Sequence, residues 1–302
     1  RGALRNGECV FASRCRTLAG LALVATALAG CGAEVNERAT VVVGSGDDVR
    51  GELLAHIYAG AVRSAGVDVE VTPNLGDRAE YLGALDAGVL ALVPDVTGEL
   101  LATFDSLSGA TEAEDVFVDL NRSLPEGLAV GDYALAEDRT TIAVASAGEF
   151  ASATSLSDVA GDCGNIVLGT VDDVSAPDPI DVAARLATGY GCEVEEFMIY
   201  PDARAAMDAV ESGAVGALAV RTASFGPLVS DLTTLEDDES VFTAQNVVPL
   251  LRDGALGDDA VSALSVVAGE LTTADLADMI DEVRGGSDSG DVAARWLGDR
   301  TL

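Results

Sequence analysis

The chain has 302 residues, of which 49% are apolar and 23% charged, and 51 acidic against 17 basic residues give a net charge of −34. Every basic residue is an arginine, which excludes a lysine Schiff base and a Walker A phosphate loop. So acidic a surface repels phosphate backbones, and we expect no nucleic-acid partner. The single histidine, His56, removes most histidine-based acid–base and zinc chemistry, so we expect no metal and no cofactor.

The first 31 residues predict a secretory signal peptide. A basic patch at 14–16 precedes an apolar segment at 18–28, which is shorter than the roughly 20 residues that a membrane span needs. The sequence Leu-Ala-Gly-Cys at 28–31 resembles a bacterial lipobox, in which a lipid is attached to the cysteine. We therefore expect a lipid on Cys31, a polar tether at 32–38 and an extracytoplasmic protein anchored to the cell membrane. An ordinary signal peptide with a chance cysteine is the alternative.

The other cysteines carry separate information. Cys9, with Glu8, is unusual ahead of a signal core, and we expect translation to start near Val10. Cys163 and Cys192 form an even pair in an exported protein, which predicts a disulfide, with two unpaired buried thiols as the alternative. Each precedes a predicted strand, and neighbouring parallel strands would place these two starts side by side.

The mature chain begins with a β-α-β pattern. The apolar run at 41–43 predicts a buried strand that ends in a glycine-containing turn, residues 44–48. Apolar residues at helical spacing over 53–62 predict a helix, and 67–71 returns as a strand, so the two strands should be parallel. The next predicted elements are a helix at 78–87, a strand at 90–93, and helices at 97–104 and 113–124. This alternation predicts an α/β fold.

The pattern restarts from Thr141. The predicted elements are strands at 142–145, 166–168, 194–199 and 215–220, with helices at 156–159, around 182–186, and from Asp202 to 212–213. The last quarter predicts a strand at 247–251 and helices near 260–267, from Thr272, and at 293–297. Helix–glycine–strand units recur in both halves, at Gly88 and Gly213, which indicates two similarly built lobes.

Several short stretches, in a shared order, are similar to one known family. They are Val-Val-Val-Gly-Ser at 41–45, Leu-Gly-Asp-Arg-Ala-Glu-Tyr at 75–81, Val-Pro-Asp-Val-Thr-Gly at 93–98, Ser-Leu-Ser-Asp-Val-Ala at 155–160, Leu-Glu-Asp-Asp at 235–238, Asn-Val-Val-Pro at 246–249 and Gly-Glu-Leu-Thr-Thr-Ala-Asp-Leu at 269–276. From about Val41 to Leu297 the chain thus resembles the osmoprotectant (glycine betaine, choline and related quaternary amine) substrate-binding lipoproteins of ABC importers.

The resemblance implies a two-lobed type II periplasmic binding protein with a ligand cleft between the lobes. Lobe one would comprise 39–136 and 224–302, and lobe two 137–223. Such a monomer captures a small-molecule ligand and delivers it to the permease subunits of an ABC importer. The carboxyl ends of the parallel strands would face the cleft, where α/β sheets bind ligands.

The chain departs from the family at the aromatic cage that holds a trimethylammonium group. Where the family commonly has Glu-Tyr-Thr-Gly, this chain has Asp-Val-Thr-Gly at 95–98, and Gln245 replaces an aromatic residue. The arginine of a Thr-Arg-Pro-Asp turn is also missing from 175–178. We therefore expect a small polar osmolyte or amine as ligand, with betaine or choline bound weakly.

The predicted ligand-binding residues lie in strand-to-helix turns, at helix starts and in the region between the lobes. They are Ser45, Gly46, Asp47, Asp77, Arg78, Tyr81, Asp95, Thr97, Thr140, Gln245 and Asn246. Alternatives remain for several of them. The 44–46 stretch could be a plain turn, Asp77 a helix cap, and Asp95 a solvated rim carboxylate.

No catalytic constellation is present in the sequence, which lacks a serine nucleophile elbow and a metal-spaced His/Cys cluster. We therefore expect no enzyme activity. A lipid-anchored hydrolase with paired carboxylates is a competing class, although no two acidic residues are paired at a recognisable site. A sensor or scaffold lipoprotein with the same fold and no transport role is the closer alternative.

Overall fold

Two five-stranded sheets flanked by helices organise the computed structural model, which describes residues 40–173, 175–226 and 232–300. The described residues belong to one compact unit. The predicted signal peptide, the tether and Cys31 lie outside the described residues.

The bounds of the elements are as follows. The strands are β1 Val41–Gly44, β2 Val69–Thr72, β3 Leu92–Val96, β4 Leu128–Val130, β5 Thr140–Ala145, β6 Val167–Val171, β7 Glu196–Tyr200, β8 Ala217–Arg221, β9 Leu232–Leu235 and β10 Val247–Arg252. The helices are α1 Val49–Ser64, α2 Arg78–Asp86, α3 Thr97–Phe104, α4 Ala113–Ser123, α5 Leu156–Val159, α6 Pro179–Tyr190, α7 Ala203–Glu211, α8 Asp258–Glu270, α9 Thr273–Arg284 and α10 Ser289–Gly298.

The first sheet has the strand order β2-β1-β3-β10-β4, and we call it, with its helices, lobe one. Strand β1 is parallel to β2 and β3, as the β-α-β pattern predicts, whereas β10 is antiparallel to β3 and β4. The predicted α/β class is confirmed. Lobe one includes both the start and the end of the described chain.

The second sheet has the order β7-β6-β8-β5-β9 and forms lobe two. Strand β9 pairs with β5, and Phe242 packs in the core of this lobe beside Leu235. Residues 232–242 therefore belong to lobe two, whereas the sequence boundary assigned residues from 224 onward to lobe one. The physical reason is that β9 covers an edge of β5 that would otherwise carry unpaired backbone groups.

Helix α1 is the central helix of lobe one. Asp48 caps it by accepting a hydrogen bond from the backbone N–H of Gly51. Its apolar residues recur at helical spacing and are buried against α8 and α10, and the fully covered ones include Leu53, Ile57 and Val62. This packing fixes the amino end of α1 at the carboxyl end of β1.

Cys163 and Cys192 form a disulfide in lobe two, with their Cα atoms 5.2 Å apart. Cys163 lies just before β6 and Cys192 just before β7, and these two strands are parallel neighbours with Val167 opposite Glu196. The bond therefore ties together the starts of adjacent strands, and both cysteines are buried.

Two chain segments cross between the lobes side by side. Asp138 donates its backbone N–H to the carbonyl of Gln245 at 3.0 Å, and Val247 donates to Ala136 at 2.9 Å. Thr222, just after β8, donates its N–H to Arg139 at 2.9 Å. We call residues 134–139, 222–224 and 244–246 the hinge. In the described part of the chain no single helix is long and apolar enough to cross a membrane. The bent pair α8 and α9 reaches that length and apolar composition only when the two helices are taken together.

Candidate functional site: the cleft between the lobes

A cavity of about 220 Å³ lies between the two lobes, at the carboxyl ends of β1, β3 and β8. Most of its wall comes from lobe one, and lobe two contributes Ser175 and Arg221. The pockets of drug-sized ligands occupy roughly 300–1,000 Å³, so this cavity suits a smaller solute.

The turn after β1 brings backbone close to the cavity. A Cβ atom on Gly46 would lie 3.3 Å from the carbonyl oxygen of Gly76, so glycine lets this turn approach the loop that leads into α2. Ser45 is fully buried beneath the turn and donates its hydroxyl to the carbonyl of Gly46. Asp48, Arg50 and Gly51 line the cavity, so the amino end of α1, which carries the positive end of its dipole, faces the cleft.

Helix α2 directs an arginine into the cavity. Asp77 caps this helix by accepting from the N–H of Glu80, whose side chain accepts in return from Asp77 N–H. The next residue, Arg78, donates two hydrogen bonds to Asp95 at the end of β3, from Nε at 3.0 Å and from Nη2 at 2.9 Å. Tyr81 also donates its hydroxyl to Asp95. Burial and then the charge of Asp95 raise the pKa of Tyr81, which keeps its hydroxyl protonated.

Glu99, in the first turn of α3, lies between arginines of both lobes. Its Oε1 accepts from Arg221 Nη2 at 3.0 Å, and its Oε2 accepts from Arg78 Nη2. Burial alone would raise the pKa of Glu99, but the charges of Arg50, Arg221 and Arg78 outweigh it and lower the pKa to about 2. The Glu99–Arg221 ion pair links lobe one directly to lobe two.

Asp138 in the hinge is completely buried and holds three segments together. It accepts from Arg50 Nη1 of α1 at 2.8 Å, from the N–H groups of Ala223 and Ser224 at 2.9 Å, and from Ser224 Oγ at 2.6 Å. Burial alone would lower the pKa of Arg50, but the carboxylates of Asp138 and Asp48 outweigh this effect and raise the pKa above its ordinary value. This cleft-lining guanidinium therefore stays charged.

A second contact between the lobes lies at the rim of the cleft. Arg284 of α9 donates to Ser175 Oγ at 3.2 Å and lies 3.6 Å from the Asp173 carboxylate in lobe two. Its guanidinium also stacks over the ring of Phe225, 4.8 Å from the ring centre.

Six of the sequence-predicted site residues line this cavity, and five do not. The lining residues are Gly46, Asp47, Asp77, Arg78, Tyr81 and Asp95. Ser45 lies beneath the first turn. Thr140 lies instead on a second cavity of about 450 Å³ in lobe two, together with Thr141 and Thr222.

The other three predicted residues stabilise the junction of α3 with the hinge. Thr97 accepts from the N–H of Asn246 at 3.1 Å, and Asn246 donates its side-chain amide to Ala134. Gln245 accepts from the N–H of Glu99 at 3.0 Å, so it orients the first turn of α3 rather than lining the cavity. The cavity-lining residues that were not predicted include Arg50, Glu99 and Arg221, which form ion pairs of the cleft.

The chemistry of the wall is ionic and hydrogen-bonding. Among the described residues that line the cavity, Tyr81 is the only aromatic one, and its hydroxyl is already bound to Asp95. No group of His, Cys, Asp or Glu in the described ranges is arranged to hold a metal ion. The wall offers guanidinium and carboxylate groups to a solute, and little ring surface.

Two α/β lobes joined by paired hinge segments around a small polar cleft define the class of two-lobed periplasmic binding proteins. Residues 39–299 match the family model described as the substrate binding domain of ABC-type glycine betaine transport system. The chain therefore belongs to this family, and the predicted resemblance is confirmed. The family is one of substrate-binding proteins, which gives this chain a solute-binding role for an ABC importer.

Solved structures of related proteins share the fold. Apo YehZ from Escherichia coli superimposes with a TM-score of 0.70 at 23% identity, covering 86% of this chain and 98% of that one. The structure of a glycine betaine/carnitine/choline ABC transporter superimposes with a TM-score of 0.72 at 15% identity, again covering 86% of this chain and 98% of that one. Lactococcal OpuAC, closed around glycine betaine, gives 0.54 at 14% identity over 86% of this chain and 95% of that one. At these identities the likeness establishes the fold, and the predicted two-lobed architecture is confirmed.

Proposed function

We propose that this protein captures a small polar osmolyte or amine outside the cytoplasmic membrane and delivers it to the permease of an ABC importer. The observation that carries the proposal is the cleft wall, in which Arg50, Arg78, Arg221, Asp95 and Glu99 surround a small cavity. Such a wall presents both hydrogen-bond donors and acceptors to a solute. The protein would act as a monomer.

The same wall disfavours a quaternary ammonium ion. Such a cation donates no hydrogen bonds and is held best against aromatic faces. The two positions where the family commonly has aromatic residues are Val96 and Gln245 here, and both are buried away from the cavity. Each desolvated cation–π contact contributes about 0.5 to 2 kcal/mol, so glycine betaine should bind roughly ten- to a thousand-fold more weakly than to a complete cage.

The proposed location rests on the N-terminal sequence. The basic, apolar and small-residue order ending at Cys31 supports export followed by lipid attachment at that cysteine. A lipid anchor would hold the solute-binding unit beside its permease and raise its effective concentration there.

A thermal-shift screen of the mature protein tests the proposal. The panel contains glycine betaine, choline, primary amines, amino acids and polyols. A solute at 100 times its dissociation constant adds about 2.7 kcal/mol of stability, which shifts the melting temperature by several degrees in a protein of this size. The expected result is a shift with one or more small polar solutes. Absence of any shift from a cooperatively folded sample would contradict the proposal.

A further inference from the structure

Three arginines from three separate parts of the chain surround the Glu99 carboxylate in the cleft. Arg78 and Arg221 donate hydrogen bonds to it, and Arg50 acts on it through its charge. Arg50 comes from α1, Arg78 from α2 and Arg221 from the end of β8, and all three line the same cavity as Glu99. Arg50 is bound to the hinge through Asp138, and Arg78 is bound to Asp95 in two places. Arg221 donates from Nη1 to the backbone carbonyl of Asp138 at 3.3 Å, so each of the three guanidinium groups has a partner other than Glu99.

The Glu99 carboxylate lies between the arginines in the way that the carboxylate of a bound solute would. Its two oxygens accept from different guanidiniums, one in each lobe. Planar guanidinium donors match the two oxygens of any carboxylate. In addition, Nε of Arg221 is buried without a hydrogen-bond partner, so the described groups leave one donor of this cluster unused.

We propose that Arg50, Arg78 and Arg221 form a carboxylate-binding subsite, which Glu99 fills in the ligand-free protein and which a carboxylate-bearing solute occupies by displacing Glu99. This inference rests on the proposed solute-binding role of the cleft. Because Arg221 is the contribution of lobe two, the incoming carboxylate takes over the ion pair that links the lobes.

The displacement has a consequence for selectivity. An alcohol or a simple amine cannot replace the charge of Glu99 between the arginines, whereas a carboxylate can. The protein should therefore select solutes that combine a carboxylate with a hydrogen-bonding amine. Because Glu99 competes with such solutes for the arginine donors, it should lower the protein's affinity for them. Removing the charge of Glu99 should then increase binding of carboxylates specifically.

The test uses four solutes that differ in two features only. Glycine and glycine betaine carry a carboxylate, and ethanolamine and choline carry a hydroxyl in its place. Titration calorimetry compares the mature protein with Glu99→Gln, with Glu99→Gln/Arg221→Gln, and with Glu126→Gln, which removes the charge of an exposed glutamate outside the cleft. Urea unfolding of each variant establishes that it is folded.

We expect Glu99→Gln to raise the affinity for glycine and glycine betaine about tenfold, the effect of one charge-assisted contact, and to leave ethanolamine and choline within about twofold. The added Arg221→Gln should remove the gain, and Glu126→Gln should change nothing. Equal changes for carboxylates and alcohols, or weaker carboxylate binding in Glu99→Gln, would overturn the subsite while leaving the proposed function intact. If neither protein binds a carboxylate and the solute screen is also negative, both proposals fail.

Discussion

The carboxylate of Asp138 accepts a hydrogen bond from Nη1 of Arg50 at 2.8 Å, and this contact connects the hinge to the wall of the cleft. Asp138 lies in the first crossing segment and also accepts from the N–H groups of Ala223 and Ser224, which follow β8 in the hinge. The position of a ligand-facing arginine is thus set by the residues about which the lobes would move.

Replacing Asp138 tests this arrangement. Asp138→Asn removes the closer of the two carboxylates beside the buried Arg50 guanidinium and leaves only Asp48, at 3.7 Å. Loss of one partner of a buried pair costs about 3 kcal/mol or more. Urea unfolding should show this loss. The matched control is Asp181→Asn, which removes an exposed pair with Arg185 within α6 and should cost less than about 1 kcal/mol. Equal effects of the two substitutions would contradict a structural role for the hinge carboxylate.

The Glu99 ion pairs should make stability depend on pH. The pKa of Glu99 falls from 4.5 to about 2 in the folded protein, so its contribution is present above about pH 4.5 and is lost as the pH falls toward 2. At pH 7 we expect Glu99→Gln to be less stable than the parent protein by on the order of 3 kcal/mol.

The difference between the parent protein and Glu99→Gln should shrink by on the order of 1–2 kcal/mol between neutral pH and about pH 3. Urea unfolding of both proteins at each pH measures it, and subtraction removes the titration of the other acidic groups. A difference that stays constant over this range would show that Glu99 is not held by the arginines.

The Cys163–Cys192 bond closes a loop with a sequence separation of 29. On the chain-entropy model a loop of this length stabilises the fold by about 3.5 kcal/mol. A double Cys163→Ala/Cys192→Ala variant should lose about this much free energy of unfolding. Reductant should destabilise the parent protein and leave the stability of the double variant unchanged. If reductant also destabilises the double variant, the loss of stability does not come from the Cys163–Cys192 bond.

Most of the fold could be predicted because its signals are local. The apolar spacing of α1, the helix start at Thr272 and the β-α-β pattern each lie within a short stretch, and the structure confirms them. Strands β4 and β9 were missed. They have only three and four residues, and each is specified by pairing with a distant strand rather than by its own pattern.

The ion pairs of the site could not be predicted for the same reason. Arg221 and Glu99 are separated by 122 positions and meet only through the packing of two lobes. Weak signals existed, since Arg221 ends an apolar strand and Glu99 begins an apolar helix, and the carboxyl ends of strands are where ligands bind. Conversely, Gln245 and Asn246 were expected in the cleft, but their hydrogen bonds to the hinge and to α3 keep them beneath it.

Lipid attachment is tested separately from ligand binding. The parent protein should incorporate a fatty acid analogue and remain with membranes after a salt wash, because several acyl chains hold far more firmly than one. Cys31→Ala should abolish labelling, and Cys163→Ala/Cys192→Ala should retain it. Label that persists in Cys31→Ala would refute attachment at this cysteine.

A small, hydrogen-bonding solute rather than a quaternary amine should occupy the cleft. Titration calorimetry of the mature protein with glycine betaine, beside the best solute from the thermal-shift screen, tests it most directly. The screened solute should bind at least about tenfold more tightly than glycine betaine, since the wall lacks the ring faces of a cage. If glycine betaine binds with a micromolar or lower dissociation constant, tighter than every other solute, the proposed ligand class is wrong, and Tyr81 or another tyrosine must rebuild the cage.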